Sequence, residues 1–161
     1  MTALYWIEQL DLLPHPEGGY YKEMYRCTEE ISVPGGKRNI STAIYFLLEG
    51  KNKSHFHRLK SDELWFFHEG AALEIFCLTE DKLVRILLGK NMEKGERLQA
   101  VIPAGVWFAS KVKNETGYVL VSCTVAPGFD FKDFELGKRV DLLTAYPHPD
   151  WEKTIVEMSF E

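Results

Sequence analysis

The chain has 161 residues, enough for one domain with a substantial core. Apolar residues at 45% and charged residues at 27% are those of an ordinary globular protein. A net charge of −5 with no basic run argues against nucleic acid or an anionic membrane surface as a partner. Cys27, Cys77 and Cys123 are odd in number and far apart, which speaks for buried thiols in a reducing compartment rather than for a disulfide framework. The opening MTALYWIEQL lacks the basic and apolar regions of a signal peptide. No run approaches the roughly 18 apolar residues of a membrane span, so the expected location is the cytoplasm.

In chain order, residues 2–12 read as a short helix with Thr2 as cap and Leu4, Ile7 and Leu10 at helical spacing, stopped by Pro14 and Pro16. The piece 14–21, PHPEGGYY, is extended and turns on Gly18-Gly19. Strands are predicted over 20–27, 41–48, 54–58, 63–68, 73–79, 82–88, 97–102, 106–112 and 118–125. Turn chemistry separates them at Pro34-Gly35-Gly36, Glu49-Gly50, Glu69-Gly70, Glu80-Asp81, Pro103-Ala104-Gly105 and Asn114 to Gly117. The pattern indicates an all-β sandwich or barrel. A C-terminal helix is predicted over 133–145, capped by Asp133, with 151–160 as an edge strand or a drape over the barrel. No repeat or linker interrupts the chain, so one domain over 1–161 is expected.

The chemistry concentrates in residues 50–70, GKNKSHFHRLKSDELWFFHEG. His55 and His57 are two apart, so on a regular strand they project from one face, with Glu63 close behind. Two imidazoles and a carboxylate on rigid backbone are a common inventory for a metal site or for acid–base work. By the same alternation Glu63, Trp65 and Phe67 share one face, while Leu64, Phe66 and His68 share the other.

Gly50, His55, His57, Glu63 and Gly70 resemble the first motif of the cupin superfamily, and Gly95, Pro103 and Gly105 its second. PHPEGGYY at 14–21, TAIYFLLEG at 42–50, HRLKSDELWFFHEG at 57–70, PAGVWFA at 103–109 and CTVAPGFDFKDFELGKR at 123–139 resemble the uncharacterised cupin-5 family, domain of unknown function 985. The resemblance implies a double-stranded β-helix, or jelly-roll barrel, with short flanking helices. In metal-binding cupins a further histidine follows the second motif's glycine by three residues. Here that place is Phe108, and five residues separate His57 from Glu63 where three or four are usual. No cofactor is therefore expected; were a divalent metal (Fe, Mn, Ni or Zn) held, its ligands would be His55, His57 and Glu63.

A barrel without a metal is still a cavity for a small molecule. His57 and Glu63 are expected to pair, the carboxylate raising the imidazole pKa, with Tyr45 or Tyr20 as an acid. Glu17 and Tyr20 lie beside the glycine turn, and Arg26 and Lys22 fall on alternate positions of the first strand, where either could meet an anion, with a solvated face the expectation for Lys22. Thr42, His55, Trp65, Gln99 and Phe108 complete the expected lining, and His68 is expected on the outside. Phe129, Phe131 and Phe134 read as a plug at the barrel end. The reading is a binding module for a sugar- or nucleotide-like small molecule. The alternatives are an isomerase resembling the dehydrorhamnose epimerases, with a His/Glu base, and a metal-dependent oxygenase. Phe66, His68 and the Tyr5-Trp6 helix are the faces expected to form a homodimer.

Overall fold

The computed structural model describes residues 1–161. Helix α1 (Ala3–Gln9) starts at Thr2, whose side chain accepts from the Tyr5 N–H. Strands β1 (Leu13–Pro14) and β2 (Tyr20–Arg26) flank the glycine turn, and a hairpin of β3 (Glu30–Val33) and β4 (Gly36–Asn39) follows. Then come β5 (Thr42–Glu49), β6 (Lys53–Arg58), β7 (Asp62–Gly70), β8 (Leu73–Leu78) and β9 (Leu83–Leu88). The chain continues through β10 (Gln99–Ile102), β11 (Trp107–Val112), β12 (Tyr118–Ala126) and a two-residue β13 (Glu135–Leu136). It closes with α2 (Arg139–Ala145) and α3 (Pro149–Met158).

One sheet runs β1-β2-β5-β12-β7-β10 and the other β13-β6-β11-β8-β9, every pairing antiparallel. Alternation along each strand sends one set of side chains between the sheets and the other outward. Phe46, Trp65, Ile75, Phe108 and Val121 belong to the inner core. Outside, α1 covers Leu47 and Leu120 of the six-stranded sheet. Leu142, Ile155 and Met158 of α2 and α3 cover Phe56, Leu78 and Ala109 of the other. This is a jelly roll, as the strand pattern predicts.

The C-terminal expectations need correction. Residues 131–133 form a 3-10 turn and 135–136 a strand, so the helix predicted over 133–145 begins only at Arg139. Asp133 is not its cap; the carboxylate takes both Arg38 Nε and Nη2, at 2.6 and 2.9 Å. Residues 151–160 are helical through Met158, led by Pro149 at the first turn and capped by the His148 side chain. Burial of Ile155 and Met158 against the sheet overrides the β-branched pair Ile155-Val156.

Two register shifts place the site. On β6, Phe108 pairs with His57 and Ser110 with Ser54, so three steps of β6 oppose two of β11 and one residue of β6 is extra. On β2, Glu23 pairs with Ile44 and Tyr25 with Ala43, which leaves Met24 as the extra residue. The glycine turn then folds against β6. Gly18 has φ +110°, and a Cβ there would sit far inside contact distance of the Lys53 carbonyl oxygen.

Gly18→Ala is therefore expected to lower stability by about 2 kcal/mol or more, from the unfavourable φ and the clash with backbone. Urea unfolding checks it, and an unchanged midpoint would refute the account of the turn.

Candidate functional site

A cavity of about 360 Å³ opens at one end of the barrel, where the inner core stops. Tyr21, Phe46, Trp65, Phe131 and Phe134 are its aromatic walls. Its polar groups come from the glycine turn (His15, Glu17), β2 (Glu23, Arg26), β6 (His57) and β7 (Glu63).

Glu17 is the hub of this wall and is 6% exposed. Its Oε1 accepts from Ser54 Oγ at 2.8 Å. Its Oε2 lies 3.2 Å from His57 Nε2 and 3.4 Å from His15 Nδ1. The tautomers follow from the other contacts. His57 Nδ1 lies 2.8 Å from the His55 carbonyl, which can only accept, so Nδ1 carries the proton and Nε2 is bare. His15 Nδ1 accepts the Glu17 backbone N–H at 3.2 Å, so it too is bare. His15 Nδ1 is satisfied by that backbone N–H, so the nitrogen left needing a donor is His57 Nε2, and a proton on the facing Glu17 oxygen supplies it. Burial, first, and the nearby Glu63 carboxyl push the Glu17 pKa well above the usual carboxylate range, which keeps the proton there. Burial lowers His57 to about 3 and His15 to about 4, so both rings are neutral.

Glu63 sits apart from this trio. Its Oε2 is buried with no hydrogen-bond partner, as is Trp65 Nε1. Burial raises Glu63 to about 7; the Trp65 indole and the Cys123 thiol, close enough to favour the carboxylate though neither meets Oε2 in hydrogen-bond geometry, hold the rise back in part.

Several expected lining residues stand elsewhere. The extra residue in β6 breaks the shared face of His55 and His57: Ser54 and His57 turn inward, and the His55 ring stacks on Phe160 with centroids 3.8 Å apart. Thus His55, His57 and Glu63 do not converge, and no group of three His, Cys, Asp or Glu side chains has the geometry to hold a metal ion. Cupins often hold metals, but this donor set does not fit one. His57 pairs with Glu17 rather than with Glu63, and its pKa falls instead of rising. Tyr45 is on the outer face of β5, edge-on to His68, and Tyr20 packs with it beneath α1. Gln99 is exposed on the edge strand β10. Phe108 points inward but is packed beneath the cavity, its ring centroid 4.1 Å from that of His57.

Glu17, Arg26, Thr42, His57, Glu63 and Trp65 do meet at the cavity. The Met24 bulge separates Arg26 from Lys22: Arg26 faces in, while Lys22 bonds Asp11 outside at 3.0 Å. Arg26 donates to both Glu23 carboxylate oxygens (2.9 and 2.7 Å), to Asn39 Oδ1 (2.8 Å) and to the Phe129 carbonyl (3.0 Å). The aromatic segment forms a wall at the mouth rather than a plug. Phe129, Phe131 and Phe134 pack edge to face with one another, and Phe131 is 52% exposed. Sequence reasoning missed His15, Tyr21, Glu23 and Cys123. His15 and Tyr21 flank the glycine turn, and Cys123 shares the inward parity of β12 with Val121 and Val125, so alternation alone could have found it.

Comparison with known proteins follows the same lines. The family model Cupin_5, described as cupin superfamily (DUF985), matches residues 4–137. A hypothetical protein from Leishmania major is 39% identical with a TM-score of 0.94, all of each chain being covered. A protein from Shewanella oneidensis is also 39% identical, with a TM-score of 0.90 over 99% of this chain and 98% of that one. An uncharacterized protein of Saccharomyces cerevisiae is 32% identical over 160 residues, 89% of this chain and 79% of its own. No helix is long and apolar enough to cross a membrane.

Glu63 makes stability depend on pH. Below its ordinary 4.5 both native and unfolded chains hold the proton. Between 4.5 and about 7 only the native chain does, so the stability it contributes is lost as pH rises through that window. His15 and His57 act oppositely, losing their contribution as pH falls from 6.5 toward 4 and 3. Glu63→Gln is therefore expected to gain on the wild type by roughly 2–3 kcal/mol between pH 4.5 and 7, and no further above. Urea unfolding of both proteins across pH tests this, and a difference constant with pH would refute it.

Proposed function

The chain belongs to the Cupin_5 family of the cupin superfamily, and on that premise we propose that it binds a small molecule in the cavity between its sheets. The observation that carries this reading is an aromatic-walled cavity of about 360 Å³ whose lining includes Glu63, a buried carboxyl with no hydrogen-bond partner on Oε2. Buried polar atoms are nearly always paired, and leaving one unpaired costs about 1–3 kcal/mol. A ligand N–H that draws the Glu63 carboxyl toward the cavity removes that penalty while the ligand buries its own ring. The volume lies at the small end of the ~300–1,000 Å³ range of ligand pockets, which suits one or two rings.

A second reading, proton transfer leading to isomerisation, is favoured by the Glu17–His57 contact at 3.2 Å opposite a free carboxyl oxygen on Glu63. Solvent deuterium would then enter a bound ligand and be recovered in it, and exchange would disappear in Glu63→Gln.

The binding reading is tested by native mass spectrometry of the purified protein and by thermal shift. A bound mass is expected on the wild type, released intact on unfolding and raising the melting temperature when added back. Ile44→Trp, which fills the cavity from β5, is expected to lose it. An empty wild type that no ring compound stabilises, or ligands that bind Ile44→Trp equally well, would remove the proposal.

A further inference from the structure

The small-molecule reading leaves the class of ligand open, and the charges around the cavity narrow it. Four carboxyl groups, Glu17, Glu23, Glu63 and Asp130, line the space, against a single guanidinium and no lysine. That guanidinium, Arg26, is already engaged. Both Glu23 oxygens, Asn39 and the Phe129 carbonyl take four of its five N–H groups, and Asp130 lies in its field. The two imidazoles offer no positive charge, because burial holds His15 and His57 neutral.

An anion entering this space would lose its water and gain no opposite charge, a transfer strongly unfavourable in a buried site. A neutral or cationic group meets the opposite situation. The Glu63 carboxyl lines the cavity, and its Oε2 has lone pairs without a donor. Glu63 can accept from a ligand N–H, and more strongly from a charged one. The walls above and below are ring faces and edges from Tyr21, Phe46 and Phe134, which favour a flat body and attract positive charge over their faces.

We infer that the cavity takes a flat ring carrying an uncharged or cationic nitrogen group, such as an amide or amidine, whose N–H donates to Glu63, and that it rejects phosphates, carboxylates and other anions. This rests on the binding reading and sharpens it. It removes ligands that must bury a phosphate, and so departs from the nucleotide-like ligand that the barrel type alone led us to expect.

Benzamidine, benzamide and benzoate share a ring and a shape but differ in charge, and their binding can be compared by titration calorimetry at neutral pH. Benzamidine and benzamide are each expected to bind the wild type at least about tenfold more tightly than benzoate. In Glu63→Gln, a near-isosteric change, benzamidine is expected to weaken by about tenfold while benzamide changes by less than about threefold. Benzoate binding as well as benzamidine, or benzamidine binding unaltered in Glu63→Gln, would overturn the inference. Failure of all three probes to bind the wild type would also overturn it. The broader binding reading would then still stand or fall on the co-purified molecule and Ile44→Trp. Should Glu63→Gln not fold, the three-probe comparison on the wild type decides alone.

Discussion

The extra residue of β6 between Ser54 and His57 determines which donors share the interior. Regular alternation would present His55 and His57 together as a wall of paired imidazoles. The bulge instead turns Ser54 and His57 inward and leaves Phe56 to the outer core beneath α2 and α3. It also frees a backbone N–H that a regular ladder would have used. That donor, on His55, goes to the Glu17 carbonyl at 2.8 Å. The glycine turn is thereby fastened to the bulge, and the Glu17 side chain enters the gap between Ser54 and His57. Bulge, turn and carboxyl are one unit, and the close approach at Gly18 is what lets the turn reach β6.

The electrostatics of the site follow from that unit. A carboxyl enclosed by two neutral imidazoles and a hydroxyl is satisfied as the acid, with its proton shared toward nitrogen, and burial favours the same state. The ionised pairs are at the rim. Arg26–Glu23 and Arg38–Asp133 use bidentate geometry to hold the mouth, Arg26 through the Phe129 carbonyl and Arg38 through the turn that follows it. The Arg26–Glu23 pair is more than one-third exposed, so it contributes position more than stability. Arg38 and Asp133 are nearly enclosed and join the β3–β4 hairpin to the aromatic wall.

Much of this was legible in the sequence, and the failures share a cause. Strand positions, the jelly roll and the inward set Glu63 and Trp65 follow from alternation, because β7 is regular from Glu63 to Phe67; His68 lies outward as expected but is itself the extra residue of a bulge against β12. His55 failed because the expectation carried a regular period across a bulge, and the Met24 bulge likewise parts Arg26, which faces in, from Lys22, which is solvated as expected. Bulges leave no compositional mark in KSHFHR or YKEMYR. Naming Thr42 and Tyr45 together was an error of another kind, since three residues apart on a regular strand are on opposite faces. The C-terminal helices were misplaced because tertiary contacts, Arg38 on Asp133 and the sheet beneath Ile155, decide between states that local pattern leaves balanced. Glu17 as partner of His57 could not be read at all, being 40 positions away in a turn.

Binding and proton transfer make different demands on the same three groups. A base that removes a proton from a ligand needs a free lone pair directed at the cavity. His57 does not supply one, because its bare Nε2 faces the Glu17 oxygen and its Nδ1 donates to backbone. It could accept a second proton only by leaving that contact and becoming a buried cation, which its surroundings oppose. Glu63 is the better candidate, since its carboxyl lines the cavity, its Oε2 has no partner and its pKa of about 7 leaves a large fraction ionised at neutral pH. Glu17 holds a proton beside it. If a reaction occurs in this cavity, the roles first read from the sequence are therefore rearranged: Glu63 accepts, Glu17 donates, and His57 fixes the proton on Glu17 as a positioning residue. The same arrangement in a pure binding protein gives one acceptor and one donor at fixed positions against aromatic walls. Both readings thus rest on the Glu63 oxygen, and whether the ligand's donor is N–H or C–H decides between them.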